Sequence, residues 1–153
     1  MALSLGEEIN SFQIFLIFLN PYNRVTLAED EDEDVRAAVA GNWHAPAELL
    51  ARLAEDEEVN ARSLIAWNPC SLLKTLARLA EDEDSGVREG VAGNPHTSPE
   101  LLARLAEDED SCVRKRVAGN PQTSSEILAR LAEDEDLSVQ WTAKHLRRQL
   151  PRQ

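Results

Sequence analysis

The sequence predicts an all-α protein, a right-handed α-solenoid of 26-residue, two-helix repeats with a capping helix at each end. The tetrapeptide LAED recurs at a constant step of 26 residues, and a fixed period of this size indicates a repeat array. It begins at Leu27, Leu53, Leu79, Leu105 and Leu131. Each unit carries two helix signals separated by turn residues. Its few apolar residues cannot offset the entropy of ordering 26 residues, so each unit must stack on its neighbours.

Residues 1–26 precede the first unit and contain all three phenylalanines. Apolar residues four and three positions apart predict a helix that caps the open end of the array. These residues are Leu5, Ile9, Phe12, Leu16 and Leu19. A homodimer or partner contact through 5–19 is the alternative, because a helix that is apolar nearly all round needs more than one neighbour. A strand over 12–19 is a further alternative. The segment is too short to span a bilayer, so no membrane contact is expected.

The first helix of each unit is clearest in SPELLARLA at 98–106. Ser98 is a good N-cap, and Pro99 suits the first helical turn because its missing N–H would be unpaired there. The leucines that follow form one apolar face. Glu100 and Arg104 stand four residues apart in the favourable order, which predicts an ion pair within the helix. The same spacing recurs in Glu48/Arg52 and Glu126/Arg130.

The second helix is predicted to be the shorter one, from about 86 to 92, and partly 3₁₀ or short α. Val87 and Val91 share a face, and Gly-Asn-Pro at 93–95 ends it, since a residue before proline avoids the α region. In the fifth unit the helical pattern continues over 139–148. We therefore interpret 27–148 as a five-unit array whose last unit is the C-terminal cap, and 149–153 as a tail.

The chain carries a net charge of −12, and 22 of its 28 acidic residues lie in five turns at the same register. The turns are 29–34, 55–58, 81–84, 107–110 and 133–136. They predict an acidic edge that repels duplex nucleic acid. A solvated turn that keeps the array soluble and monomeric is one interpretation, and a surface for a basic partner is another. Calcium is a third, but EDEDSG lacks the full calcium-loop pattern.

Two cysteines, Cys70 and Cys112, form neither a CxxC motif nor a disulfide framework. Buried or idle thiols in a reducing cytoplasm are expected. His44, Cys70 and His96 share one repeat position, but three ligands in a line at helix-packing distances of roughly 8–10 Å cannot close around one zinc ion. A Cys/His nucleophilic pair lacks a third member. The sequence therefore predicts no catalytic residue, no metal site and no cofactor.

Three further repeat positions are occupied by the same polar residue in four units. They are Arg36/Arg62/Arg88/Arg114 with Gln140 in the last unit, Arg52/Arg78/Arg104/Arg130, and Asn42/Asn68/Asn94/Asn120. We call them the inner arginine ladder, the outer arginine ladder and the asparagine ladder. Arginines beside acidic turns can pair bidentately with carboxylates. A buried asparagine can satisfy backbone groups at the end of the second helix. All three ladders are predicted to be structural.

One pair of positions in the second helix differs in every unit. The pairs are 37/38, 63/64, 89/90, 115/116 and 141/142, and we call them the variable strip. Solvent exposure alone explains such variety, and a graded binding surface is the functional alternative. The candidate partner-binding residues are Ser63, Leu64, Glu89, Lys115, Arg116 and Trp141. Trp141 is the best anchor among them, because tryptophan is enriched in binding hot spots.

The segment VREGVAGNPHTSPELLARLAEDED at 87–110 resembles the bacterial leucine-rich repeat variant family. The resemblance covers about 27–148 and implies alternating α and 3₁₀ or short α helices in a right-handed superhelix without strands. The turn before Val87-Arg88 is also similar to HEAT-like repeats. Some members of the variant family carry an N-terminal cysteine-rich iron–sulfur module. This chain has no cysteine before Cys70, so the cluster is not carried over.

These observations together favour a non-enzymatic, cytoplasmic protein-interaction scaffold whose protein partner is unknown. A HEAT-like lyase or accessory factor that holds a client protein or cofactor is one alternative, and a metal or redox protein is another.

Overall fold

The computed structural model describes residues 27–147, and within that range it contains nine α-helices and no strand. They are α1 (Glu33–Ala40), α2 (Ala47–Leu53), α3 (Val59–Trp67), α4 (Leu73–Leu79), α5 (Ser85–Gly93), α6 (Pro99–Leu105), α7 (Ser111–Gly119), α8 (Ser125–Leu131) and α9 (Leu137–Arg147). The predicted fold class, an all-helical solenoid of repeats, is confirmed. The predicted N-terminal cap in 1–26, its dimer contact through 5–19, the alternative strand and the tail at 149–153 lie outside the described residues.

The odd-numbered helices, which are the second helices of successive units, form one continuous row. Helix α1 packs on α3, α3 on α5, α5 on α7 and α7 on α9. The even-numbered helices are the first helices, and each packs against the second helices on either side of it in the chain. The row of second helices therefore makes the direct helix-to-helix contacts between successive units.

A single apolar core runs through the described part of the chain beneath both rows of helices. Val87 and Val91 of α5 and Leu102 of α6 are fully buried, and Leu101 and Leu105 are nearly so. The side chains that contact them include residues of neighbouring units, because the core cluster spans residues from Val39 to Ala143. The predicted burial by stacking is therefore confirmed.

The relative lengths of the two helices were predicted wrongly. Helices α2, α4, α6 and α8 have seven residues each, whereas α3, α5 and α7 have nine and are α-helical throughout. Helix α6 ends early because Glu107 and Asp108 donate their N–H groups to carbonyls only three residues back, at 3.1 and 3.2 Å. The 3₁₀-type bonds thus follow the first helix and are not part of the second.

The helix starts agree with the sequence where a capping residue is present. The Ser98 hydroxyl accepts a hydrogen bond from the N–H of Leu101, and Pro99 occupies the first turn of α6. The Asp84 carboxylate accepts from the N–H of Val87 and caps α5. Helix α9 has eleven residues and continues past the position at which Asn94 and its equivalents end the earlier second helices.

Candidate interaction surface and its supporting ladders

The inner arginine ladder joins each unit to the next. Nε and Nη2 of Arg88 donate to the two carboxylate oxygens of Asp108, 20 residues ahead, at 2.8 and 3.0 Å. Nη1 of the same side chain donates to the backbone carbonyls of Asp82 and Glu83 at 2.9 and 3.0 Å. The same arrangement recurs at Arg36, Arg62 and Arg114. The predicted bidentate pairing is confirmed.

The carboxylates that receive these arginines are withdrawn from solvent. The side chains of Asp56, Asp82, Asp108 and Asp134 are only 6–9% exposed. A hydrogen bond from Arg114 lowers the pKa of Asp134. Burial by itself raises the pKa of Asp82, but hydrogen bonds from Arg62 and from the N–H of Asp84 outweigh it, so the net pKa is lowered. The ion pairs that these four aspartates form with the inner arginines join neighbouring units.

The outer arginine ladder also joins units, and this differs from the ion pairs predicted within each first helix. Arg104 pairs with Glu81 of the preceding turn at 2.9 Å, and Arg130 pairs with Glu107 at 2.8 Å. Arg52 and Arg78 pair in the same way with Glu29 and Glu55. Glu100 lies at the start of α6, where hydrogen bonds from its own backbone N–H and from Ser98 lower its pKa. The predicted Glu100–Arg104 pair is therefore wrong.

The asparagine ladder satisfies backbone groups of the preceding unit. Nδ2 of buried Asn94 donates to the carbonyls of Ala66 and Asn68 at 2.8 and 3.0 Å. Its Oδ1 accepts the N–H of His96 at 2.9 Å. Asn68 and Asn120 repeat this pattern. Ala66 lies near the end of α3, so the expected role at the end of a second helix is confirmed. The helix end that each asparagine satisfies belongs to the preceding unit.

The acidic turns are largely part of this internal framework rather than plain solvated loops. In the turn at 107–110, Glu107 pairs with Arg130, Asp108 pairs with Arg88, and Asp110 caps α7. Glu109 stands 3.6 Å from Arg88 but its side chain is 92% exposed. Glu135 in the next turn is 89% exposed. In both of these turns, the most exposed carboxylate is therefore that of the third residue, Glu109 or Glu135.

Both cysteines are free and exposed, so of the two alternatives expected, buried or idle thiols, the buried one is wrong. The charge of Asp110 is the main cause that raises the pKa of Cys112, which keeps this thiol protonated near neutral pH. Sγ of Cys70 donates to the Trp43 carbonyl at 2.8 Å. The shared position of His44, Cys70 and His96 holds no ion-sized cluster, and no group of three His, Cys, Asp or Glu residues in 27–147 has the spacing for a metal ion.

In the middle of the variable strip, the side chains contact one another between neighbouring units. Nε of Arg116 donates to Oε1 of Glu89 at 3.1 Å, and the Arg116 guanidinium lies 5.0 Å from the centre of the Trp67 ring. The ring lies over α5, where Cβ atoms at Gly90 and Gly93 would come within 3.0 and 2.5 Å of it. Glu89 and Arg116 are therefore engaged within the chain.

The two ends of the variable strip differ from its middle. Near the N-terminal end, Ser63 and Leu64 are half-buried, and Leu64 lies beside Gly41. At the C-terminal end, Lys115 is exposed and Trp141 is 67% exposed. The Trp141 ring stacks on His145, with ring centres 5.1 Å apart. Of the six predicted partner-binding residues, Lys115 and Trp141 are the two that are both exposed and outside ion pairs among the described residues.

The contributions of Trp67, Gly90, Gly93 and His145 were missed from the sequence. A signal was present, because Trp67 and His145 occupy the position held by glycine in the other units. A large side chain at that position, followed one unit later by two glycines a helical turn apart, indicates that the large residue lies across the next helix.

Two depressions of about 430 Å³ lie between units, and both are open to solvent. One is lined by charged residues that include Arg62, Arg78 and Asp82. The other lies between α4 and α6 and is lined by Leu73, Ala77 and Leu101 among others. Over residues 27–147, the helices are too short or too polar to cross a membrane.

Three segments of the chain match the family model described as leucine-rich repeat variant, at 33–58, 86–110 and 113–136. A solved structure described as a leucine-rich repeat variant with a novel repetitive protein structural motif is similar in fold, with a TM-score of 0.68 and 26% sequence identity. The similarity covers 86% of this chain and 53% of that one, so the chain spans about half the length of its structural relative. No match was found among curated proteins.

Proposed function

Because the chain belongs to the leucine-rich repeat variant family, we propose that it is a non-enzymatic scaffold that binds a protein along its row of second helices. The variable strip is the observation that carries the proposal. Its side chains differ from unit to unit, and those of Lys115, Arg116 and Trp141 on α7 and α9 are exposed, while the residues that join the units are nearly the same in each. A constant support that presents a changing surface is typical of repeat proteins that bind other proteins.

The support is rigid in a way that suits binding. Each unit is fastened to the next by a bidentate arginine–aspartate pair at one side and by two hydrogen bonds from a buried asparagine. Groups held in this manner lose little conformational freedom when a partner binds, and a preorganised surface binds more tightly than a flexible one.

The kind of ligand follows from the shape of the surface. The two depressions between units are open, and small-molecule sites are typically concave and enclose most of their ligand. An extended row of helix faces instead matches an extended protein segment. We therefore propose that this surface binds a protein rather than a metabolite or a nucleic acid duplex.

The cytoplasmic location is part of the same proposal. Two free, exposed cysteines are compatible with a reducing compartment. A homodimer through residues 5–19 also stays a proposal, based on the apolar spacing of that segment.

Site-specific photo-crosslinking tests the scaffold function. A photoreactive phenylalanine derivative replaces Trp141 on the strip, and a matched control replaces exposed Glu126 on the first helix α8. The expected result is one protein cross-linked from position 141 and much less from position 126, and the purified pair should form a defined complex. Equal labelling from both positions, or purified protein that turns over a metabolite and binds no protein, would contradict the proposal.

A further inference from the structure

Most of the described lysine and arginine side chains form ion pairs with carboxylates of the same chain. Among residues 27–147, both arginine ladders and Arg116 are paired with carboxylates. The described cations that lack such a pair are Lys74, Lys115, Lys144 and Arg147. Three of these four lie on the last two second helices, α7 and α9. Within the described residues, unpaired positive charge is thus concentrated on the last two second helices, in a chain whose net charge is −12.

The last helix replaces a core position with one of these cations. Lys144 lies one repeat after Ala118 and two after Ala92, and both alanines are buried. Lys144 is exposed, and within the described residues its Nζ donates to Oε1 of Gln140 at 2.8 Å. Gln140 in turn replaces the inner-ladder arginine, and its Nε2 donates to the Asp134 carbonyl at 2.6 Å. The sequence at the end of the array therefore presents a polar, cationic surface in place of a stacking face.

An aromatic platform lies beside these lysines. Trp141 and His145 stack nearly parallel, with an interplanar angle of 8°. Lys115 occupies the same repeat position as Trp141 on the preceding helix, and Lys144 follows Trp141 by three residues on α9. Residues three apart on a helix are neighbours on its surface. Lys115, Trp141, Lys144 and His145 thus form one surface, which we name the C-terminal patch.

We propose that the C-terminal patch binds an acidic protein segment that carries an aromatic or aliphatic side chain. The proposal rests on the scaffold function and names its partner class. Carboxylates of the segment pair with Lys115 and Lys144, and the apolar side chain packs on the Trp141–His145 platform. Charge complementarity steers the encounter, and the exposed tryptophan supplies the anchor.

The surroundings of the patch favour a short acidic segment over other anions. Exposed Glu109 and Glu135 lie in the turns that immediately precede α7 and α9. A nucleic acid duplex carries dense charge along its whole length and would meet these glutamates, whereas a short segment can place its few carboxylates between the two lysines.

Fluorescence anisotropy with defined probes tests the proposal. The probe is a labelled 12-residue peptide in which Asp and Glu flank a central Phe-Leu pair, beside a second peptide with Ser-Ser at the centre and a 12-nucleotide single-stranded DNA. The protein variants are K115E/K144E and W141A, with K74E as the control because Lys74 is also outside an ion pair but lies on first helix α4. Circular dichroism checks that all variants keep the helical fold.

The expected result is that the Phe-Leu peptide binds the native chain and K74E within twofold of each other. K115E/K144E should weaken this binding at least about tenfold, which corresponds to ~1.4 kcal/mol. W141A should weaken the Phe-Leu peptide severalfold and leave the Ser-Ser peptide nearly unchanged. Equal binding by K74E and K115E/K144E, or tighter patch-dependent binding of the DNA, overturns the proposal.

Two further readouts separate this proposal from the scaffold function. If a partner cross-links at position 141 but its affinity is unchanged in K115E/K144E, the acidic-segment proposal fails and the scaffold stands. If no protein cross-links and no peptide binds, both fail. Light scattering that shows a doubled mass, lost in K115E/K144E, assigns the patch to self-association and likewise overturns the proposal.

Discussion

Single buried polar residues decide whether two neighbouring units fit together. Asn94 is fully buried and connects α5 to the carbonyls of Ala66 and Asn68 while it accepts the N–H of His96. The amide is suited to this position because it supplies two donors and an acceptor on one short side chain. A side chain that lacks either function leaves buried backbone groups without a partner.

Replacement of Asn94 by aspartate should therefore be strongly destabilising. The substitution keeps the shape but turns a donor into an acceptor that faces two carbonyl oxygens, and it buries a charge. We expect a loss of about 3 kcal/mol in the free energy of unfolding, measured by urea denaturation. Asn60→Asp is the control, since Asn60 is exposed near the start of α3, where a negative charge is favourable. Similar losses in both variants would show that the buried contacts are not the cause.

Two glycines at the same repeat position should respond in opposite ways to alanine. A Cβ on Gly93 would lie 2.5 Å from two ring atoms of Trp67, whereas a Cβ on Gly119 meets nothing within 4 Å. Gly93→Ala should cost about 1–2 kcal/mol through the displaced ring. Gly119→Ala should gain about 0.5–1 kcal/mol, because alanine is the better helix former. Thermal unfolding measures both, and a gain from both variants would contradict the position of Trp67.

At the scale of the helices, the hydrogen-bonding partners of the ladder side chains belong to adjacent units more often than to the same helix. The inner arginines reach 20 residues ahead, the outer arginines 23 residues back, and the asparagines 26 and 28 residues back. A helix of seven residues offers few positions for pairs on its own surface. The stack instead brings the turn of one unit beside the helix of the next, and the long side chains use those closer partners.

The two arginine ladders should differ in strength when the same substitution is made in each. Arg88→Gln copies the natural Gln140, which keeps a carbonyl contact but leaves the buried Asp108 carboxylate without its guanidinium. We expect a loss of about 3 kcal/mol. Arg104→Gln breaks the exposed pair with Glu81 and should cost about 0.5 kcal/mol. Urea denaturation of the two variants compares them directly, and equal losses would mean that burial does not set the strength of these pairs.

For the whole molecule, the repeated aspartates couple stability to pH. Burial by itself raises the pKa of Asp56 and Asp82, but hydrogen bonds from Arg36 and Arg62 together with those from the N–H groups of Glu58 and Asp84 outweigh it. A hydrogen bond from Arg114 lowers the pKa of Asp134. The unfolded chain, with aspartate pKa values near ~3.9, binds more protons than the folded chain once the pH falls into that range. The stability contributed by these groups is present above that value and is lost as the pH falls through the lower folded values.

We therefore expect the urea midpoint to vary little between pH 7 and about 5 and to fall steeply below about pH 4. Part of the net charge of −12 is neutralised over the same range, which relieves repulsion and opposes the fall only partly. Arg62→Gln is the matched variant, since it removes the hydrogen bond that lowers the pKa of Asp82. Its stability should depend less on pH below 5, and an unchanged slope would separate the arginine pairs from the acid response.

The amino-acid sequence by itself determined the repeat, its 26-residue step and the order of the helices. These depend on local signals such as the Ser98-Pro99 start of α6 and the Asn94-Pro95 end of α5, which act within a few residues. The sequence also identified the three ladders, because a polar residue that returns at every step must meet a similar environment each time. It placed Lys115 and Trp141 in the strip correctly as exposed side chains.

The tertiary structure alone decided the partners and the exposure of the other residues. Arg104 stands four residues after Glu100 in the sequence, but it pairs with Glu81 of the preceding unit, and only the stacking of the units brings that carboxylate within reach. The sequence indicates free surface charges at Glu89 and Arg116, but the packing of α7 on α5 brings them together, with the Arg116 guanidinium over the Trp67 ring. The physical reason is that contacts more than 20 residues apart depend on how helices pack, which no local spacing encodes.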